Sequence, residues 1–175
     1  MEELVIRAKK GDRDALKDIF IYIKNDLYKI AKARFDNNED AEDAVQETII
    51  TVIKSIKNLY KVERFKSWVI TILINKCNTI YKKRKKYSIS IDEIENTLIE
   101  NDDCTENNIE FYSMLKCLEY KERLIMILYY SENYTIKEIG KILKMNENTV
   151  KTKISRAKFK IKNSYFGGEK NELLG

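Results

Sequence analysis

The chain has 175 residues, 43% of them hydrophobic and 35% charged, with a net charge of +5. That length suits one large or two small domains, and a charged share above the usual quarter points to a packed interior beneath a highly charged surface. Histidine is absent, and the three cysteines, Cys77, Cys104 and Cys117, form no C-x-x-C pair, so the commonest general base, the Ser-His and Cys-His nucleophiles, a disulfide framework and a four-ligand metal centre are all excluded as expectations.

The five glycines fall in neither a G-x-G-x-x-G nor a G-x-x-x-x-G-K arrangement, so no nucleotide-cradling loop is expected. There is no run of roughly 18 uncharged apolar residues, and the N-terminus MEELVIRAKKGD mixes charges with apolar residues, so neither a membrane span nor a secretory signal is expected. The expected compartment is the cytoplasm, with no catalytic group, metal or cofactor.

With no proline and helical apolar spacing almost throughout, the sequence predicts an all-α fold. A short first helix carries Leu4, Val5 and Ala8. Gly11 suits its C-terminal end and Asp12 the N-cap of a second helix striped by Ala15, Leu16, Ile19, Phe20, Ile23 and Leu27. A third begins after Asn37-Asn38 and turns Ala41, Ala44, Val45, Thr48, Ile49, Val52, Ile53 and Ile56 to one face. After a loop over 60–64, a fourth buries Phe65, Trp68, Val69, Ile72, Leu73, Cys77, Ile80 and Tyr81. These four helices form a first domain, 1–86.

The charge then changes sign. From Lys61 to Lys86 there are nine basic residues against the single acid Glu63, whereas 88–110 holds eight acids and no base. The acidic stretch reads as a linker, 87–108, either a plain solvated connection or a functional one. A second helical domain, 109–166, follows, with a short tail over 167–175. Its helices carry Tyr112, Leu115 and Leu118, then Leu124, Ile125, Ile127 and Leu128 over 121–130. Thr135 and Glu138 form a capping box that opens a short helix with Ile136, Ile139, Gly140 and Leu143 inward. A tight Lys144-Met145-Asn146 turn leads to a long basic helix with Asn146 as N-cap and Val150, Ile154, Ala157 and Ile161 inward. Short helix, tight turn and longer basic helix is the pattern of a helix-turn-helix.

Three surfaces carry chemistry. On the last helix, Asn148, Lys151, Thr152, Ser155, Arg156 and Phe159 face away from the apolar stripe; Lys, Thr, Ser and Arg can reach base edges, while Lys153, Lys158, Lys160 and Lys162 can neutralise phosphates. Phe159 would either touch a thymine methyl or pack under the C-terminal tail. The run Lys82-Lys83-Arg84-Lys85-Lys86 is either a solvated helix end or, with Tyr60, Phe65, Trp68 and Tyr81 nearby, part of a surface for unstacked bases. Phe65 and Trp68 also match the core stripe. Glu39, Asp40, Glu42, Asp43, Gln46 and Glu47 open the third helix, where acids are favoured by the helix dipole; as a functional patch they would face a basic protein partner and not a phosphate backbone.

The run Asp40-Ala41-Glu42-Asp43-Ala44-Val45-Gln46-Glu47-Thr48, followed by Phe65-Lys66-Ser67-Trp68 and Asn75, resembles region 2 of bacterial sigma factors of the extracytoplasmic-function type. Tyr134-Thr135-Ile136-Lys137-Glu138-Ile139-Gly140 and Asn148-Thr149-Val150-Lys151-Thr152-Lys153-Ile154-Ser155-Arg156-Ala157-Lys158 resemble their region 4. The Leu-Pro common before the region 4 core is Leu118-Glu119 here. The resemblance implies a transcription initiation factor whose Asp43, Gln46 and Glu47 contact the β′ clamp of RNA polymerase core, with region 4 near the β flap. It implies that Tyr60, Lys61, Arg64, Asn75, Lys82, Lys83 and Arg84 serve capture of the minus-10 element, with a flipped base. It assigns the minus-35 element to Thr149, Lys151, Thr152, Lys153, Ser155, Arg156 and Lys158. An acidic linker mimicking nucleic acid and an anti-sigma partner are further implications.

The alternative is a helix-turn-helix regulator that binds DNA without joining polymerase core, its first half serving dimerisation or ligand binding. The charge at Asp43, Gln46 and Glu47 weighs against it, because the centre of a dimer interface is depleted in charge. A helical nuclease is disfavoured by the missing histidine and by acids that do not converge on a basic cleft.

Overall fold

A computed structural model describes residues 1–87 and 106–166. They are helical with no strand among them, and they form two compact units. The first holds α1 (Glu2–Lys9), α2 (Arg13–Lys32), α3 (Asn38–Ser55) and α4 (Phe65–Tyr87); the second holds α5 (Glu106–Met114), α6 (Tyr120–Met126), α7 (Ile136–Leu143) and α8 (Glu147–Phe166). Most of the acidic linker and the whole C-terminal tail lie outside the described residues, with Cys104 among them.

In the first unit, α1 ends as its sequence predicts. The Gly11 N–H bonds the carbonyl of Ala8 at 3.0 Å and the Asp12 N–H that of Arg7 at 3.2 Å, a paired closure that requires the left-handed Gly11, φ +97°. Asp12 then caps α2 by accepting from the N–H groups of Asp14 and Ala15, each at 3.0 Å. Ala15, Ile19, Ile23, Leu27, Ile30 and Ala31 of α2 are buried against α1 and α3. Full burial of each large aliphatic side chain contributes roughly 1.5–3 kcal/mol.

The α3 and α4 helices pack closely, joined by two 3₁₀ turns, Ile56–Asn58 and Val62–Arg64. Glu47 pairs with Lys76 at 3.1 Å and Asp40 with Arg84 at 2.5 Å, an antiparallel register in which later α4 residues meet earlier α3 residues. From α4, Phe65, Val69, Ile70, Leu73, Ile74 and Cys77 are buried. Two expectations are corrected. Ile53, placed on the buried stripe, is 48% exposed, because at 100° per residue it lies about 120° around the helix from Ala41. Tyr81 is also exposed, and the Arg34 guanidinium lies over its ring, 3.6 Å from the centroid. Trp68, Ile72 and Ile80 are half-buried.

The second unit is built around Leu115, Leu118, Leu124, Ile125, Ile127, Leu128, Ile139, Val150 and Ala157, all buried. The helix expected over 121–130 stops at Met126 and widens into a π turn, Ile127–Ser131. At its start, Glu119 donates its N–H to Glu122 Oε2 at 3.4 Å. On α7 it is Ile142, not Leu143, that is buried. That helix packs on both α8 and the π turn, so its covered arc is wider than one stripe. Ile161 is half-buried.

Candidate functional sites

The acidic face belongs to α3. Asn37 Oδ1 accepts from the Asp40 N–H at 2.8 Å and starts the helix, while buried Lys32 donates to the Asp36 carbonyl at 2.6 Å and to Asn38 Oδ1 at 3.0 Å, anchoring the preceding turn. Burial pushes the Lys32 ammonium below its usual range, with the Asp36 charge opposing that shift. Beyond this anchored start, Asp43, Gln46 and Glu47 are all exposed. Ile50, 51% exposed, continues the same face one turn on, and Ile53 flanks it. The sequence pattern held the signal for Ile50, since it is spaced three and four residues from Glu47 and Gln46. An isoleucine beside a buried stripe is nevertheless hard to separate from that stripe by periodicity alone.

The residues assigned to the minus-10 element divide into two groups. Tyr60 is 91% exposed, and Lys61, Arg64, Asn75, Lys82 and Lys83 are exposed as well. Tyr60 and Lys61 stand at the turn between buried Leu59 and buried Phe65, where the Arg64 N–H bonds the Lys61 carbonyl at 3.1 Å. Phe65 belongs to the core, with the half-buried Trp68 ring tilted beside it at 6.2 Å between centroids. Arg84 differs from its neighbours. Its Nη2 lies 2.5 Å from Oδ1 of Asp40, a residue only 2% exposed whose Oδ2 accepts from Asn37 Nδ2 at 3.1 Å. Arg84 therefore closes the α3–α4 pair and partners an otherwise buried carboxylate. Cys77, also in this helix pair, is held as a thiol by burial, which pushes its pKa up to about 12.

The helix-turn-helix is formed by α7 and α8. Thr135 and Glu138 complete the capping box: Glu138 Oε2 accepts from the Thr135 N–H at 2.9 Å and from its hydroxyl at 2.7 Å, and the Glu138 N–H reaches Thr135 Oγ1 at 3.3 Å. Those bonds hold the Glu138 carboxyl below its usual pKa. Lys144 is left-handed, φ 53°, and the Met145 N–H returns to the Gly140 carbonyl at 2.8 Å. A Cβ on Gly140 would stand 2.8 Å from the Met145 carbonyl oxygen, so only glycine lets the turn close so tightly. Asn146 Oδ1 accepts from the Asn148 N–H at 2.8 Å at the start of α8.

On α8, Thr149, Lys151, Thr152, Ser155, Arg156 and Lys158 are exposed and Lys153 is half-buried, while Val150, Ile154 and Ala157 are buried beneath them. Phe159 is 65% exposed; the tail expected to cover it lies outside the described residues. Two of the lysines have partners within the unit. Lys160 donates to Glu122 Oε2 at 2.7 Å, joining α8 to α6, and Lys158 Nζ lies 5.6 Å from the Tyr130 ring centroid. The Tyr130 contact raises the Lys158 pKa.

Residues 20–87 match the sigma-70 region 2 family and residues 108–161 match sigma-70, region 4. The RNA polymerase sigma factor SigV of Bacillus subtilis (strain 168) is 32% identical over 134 residues, 77% of this chain and 81% of that protein. The ECF RNA polymerase sigma factor SigW of the same organism is 25% identical over 173 residues, covering 90% and 92% of the two chains. Among solved structures, CnrH in complex with the cytosolic domain of CnrY has a TM-score of 0.70 at 18% identity, covering 95% of this chain and 97% of that one. The sigma factor RpoE in complex with the anti-sigma factor NepR from Bartonella quintana has a TM-score of 0.73 at 21% identity, covering 84% and 94%; both likenesses show the fold. The chain belongs to the sigma-70 family of RNA polymerase sigma factors, in its extracytoplasmic-function (ECF) group. It is an alternative sigma factor, a family of transcription initiation factors that bind polymerase core and promoter DNA. No helix among the described residues is long and apolar enough to cross a membrane.

Proposed function

We propose that this sigma factor docks on the β′ clamp of polymerase core through Asp43, Gln46 and Glu47, with Ile50 and Ile53 adding apolar area to the same face. The 60–64 turn then captures a flipped minus-10 base, helped by Asn75 and by the phosphate contacts of Lys82 and Lys83. The minus-35 element is read by Lys151, Thr152, Ser155 and Arg156, with Thr149, Lys153 and Lys158 on the backbone, while region 4 lies near the β flap. On this reading 1–86 is the core and minus-10 domain, 87–108 the acidic linker, 109–166 the minus-35 domain and 167–175 a tail. The protein works in the cytoplasm without catalytic chemistry of its own, and an anti-sigma partner covers the polymerase- and DNA-binding faces until it is released. The reading draws support from relatives such as SigV and, for the partner, from the complex of RpoE with NepR.

The observation that carries it is the exposed acidic face of α3. Asp43, Gln46 and Glu47 stay exposed although Arg84 and Lys76 of the adjacent α4 pair with Asp40 and Glu47, while Lys82, Lys83 and the open face of α8 present cations. An acidic face cannot follow a phosphate backbone but complements a basic protein surface. The test is the double variant Asp43→Arg, Glu47→Arg in a core pull-down followed by run-off transcription. Core affinity falls at least tenfold, about 1.4 kcal/mol, because like charges then face each other. Stability changes by less than about 1 kcal/mol, since the Glu47–Lys76 pair that is lost is solvent-exposed. Undiminished core binding would falsify the assignment, and promoter binding without any affinity for core would favour a free-standing DNA-binding regulator.

A further inference from the structure

Lys9, the last residue of α1, donates its ammonium to the main-chain carbonyl of Leu59 at 2.5 Å. Leu59 is 6% exposed, while the next residue, Tyr60, is 91% exposed. At this point the chain leaves the helical body to form the turn assigned to base capture. The α1 helix packs against both 3₁₀ turns that bracket it, Ile56–Asn58 and Val62–Arg64. It also lies ahead of the residues, 20–87, that match region 2.

The Leu59 carbonyl belongs to the planar peptide unit that leads into Tyr60. Holding its oxygen fixes the rotation of that plane and so the direction in which Tyr60 departs. The helix end that carries the donor is itself fixed. The left-handed Gly11 and the two bonds to the carbonyls of Arg7 and Ala8 stop α1 just beyond Lys9, and Arg7 pairs with Asp12 at 2.7 Å.

We propose that Lys9 is a positioning residue for promoter opening: its bond to the Leu59 carbonyl sets the geometry of the 60–64 turn that receives the flipped minus-10 base. The inference rests on the reading of that turn given above. Extruding a base costs a few kcal/mol, and a receiving turn already in place offsets this better than one that must first be ordered.

The test uses holoenzyme reconstituted from full-length chain and polymerase core. Wild-type holoenzyme selects promoter fragments from a pool randomised over the minus-10 positions. Lys9→Met, Lys9→Arg, Tyr60→Ala and Lys61→Ala are then compared with wild type for base preference, permanganate reactivity of minus-10 thymines and duplex competition. Lys9→Met keeps the apolar stem and removes the donor. It should slow opening about tenfold, the scale of one hydrogen bond from a charged donor. It should also flatten preference at the position read by the turn, while core affinity and initial duplex binding stay within about twofold of wild type. Lys9→Arg, which retains a donor, should restore preference. If Tyr60→Ala and Lys61→Ala shift the profile but Lys9→Met does not, the positioning role is overturned and the turn assignment stands. If the two turn variants leave the profile intact, the turn assignment itself fails. A Lys9→Met protein with lowered melting temperature and weakened core binding, but unchanged base preference, would make Lys9 a stability residue only and overturn the proposal.

Discussion

Arg84 stands in a run of five basic residues that reads, in sequence, either as a solvated helix end or as part of a surface for unstacked bases. Its guanidinium nevertheless lies against Asp40, whose carboxylate is buried, while Lys82 and Lys83 extend into solvent. Arg84→Met would leave that carboxylate without its cation. Because Arg84 is half-exposed, water can replace part of the lost interaction, so the expected cost is about 1–3 kcal/mol, below that of breaking a fully buried pair. Lys82→Met and Lys83→Met should each change stability by no more than about 0.5 kcal/mol. Trp68 is the single tryptophan and lies in α4, so its fluorescence during urea unfolding reports the first unit alone. Equal stability of the three variants would remove Arg84 from the helix clasp. Periodicity placed Arg84 at the end of its helix but could not reveal its partner, because Asp40 is 44 residues away and its burial arises only when α3 and α4 pair.

At the scale of elements, the helix-turn-helix was the most legible part of the chain. Its capping box, its turn, its glycine and the N-cap of α8 all depend on neighbours within a few residues. Gly140→Ala tests whether the close approach at that turn controls function. The added methyl meets the Met145 carbonyl oxygen at 2.8 Å, a main-chain atom that cannot swing aside as a side chain can. The substitution should cost about 1–3 kcal/mol and tilt α8 relative to α7. Faster amide exchange in α8 and weaker minus-35 binding would be the readouts; wild-type exchange with wild-type binding would show that the turn absorbs a methyl group. Less legible was the widening of α6 into the π turn. Its apolar run Leu124, Ile125, Met126, Ile127 and Leu128 is buried on all sides, which leaves no polar face to mark the change in period.

Across the whole molecule, the proposed reading assigns an acidic face on α3 to polymerase and basic faces on α4 and α8 to DNA, and divides α8 between base readers and backbone anchors. Arg156 is exposed and positioned on the open face, where a bidentate guanine contact is worth about 1–3 kcal/mol of discrimination. Lys158, steadied over Tyr130 and fully charged, should act through charge alone. In competition assays with holoenzyme, Arg156→Ala should relax preference at one or two minus-35 positions. Lys158→Ala should weaken all promoters alike and reduce the slope of log affinity against log salt by about one. Uniform weakening by both substitutions would make α8 an electrostatic anchor and transfer promoter choice to the first unit.

Sequence alone was enough for the all-α class, the two blocks of helices, the caps of α2, α7 and α8 and the positions of the acidic and basic faces. These follow from helical periodicity, local capping and composition, all of which act over a few residues. Tertiary structure decided which charges remain available to partners and which are used internally. It joined Arg84 to Asp40 and Lys160 to Glu122, and brought Lys9 to the Leu59 carbonyl. The last contact spans 50 residues. No local pattern encodes such a pairing, because the direction and reach of a lysine side chain acquire meaning only after separate helices have packed.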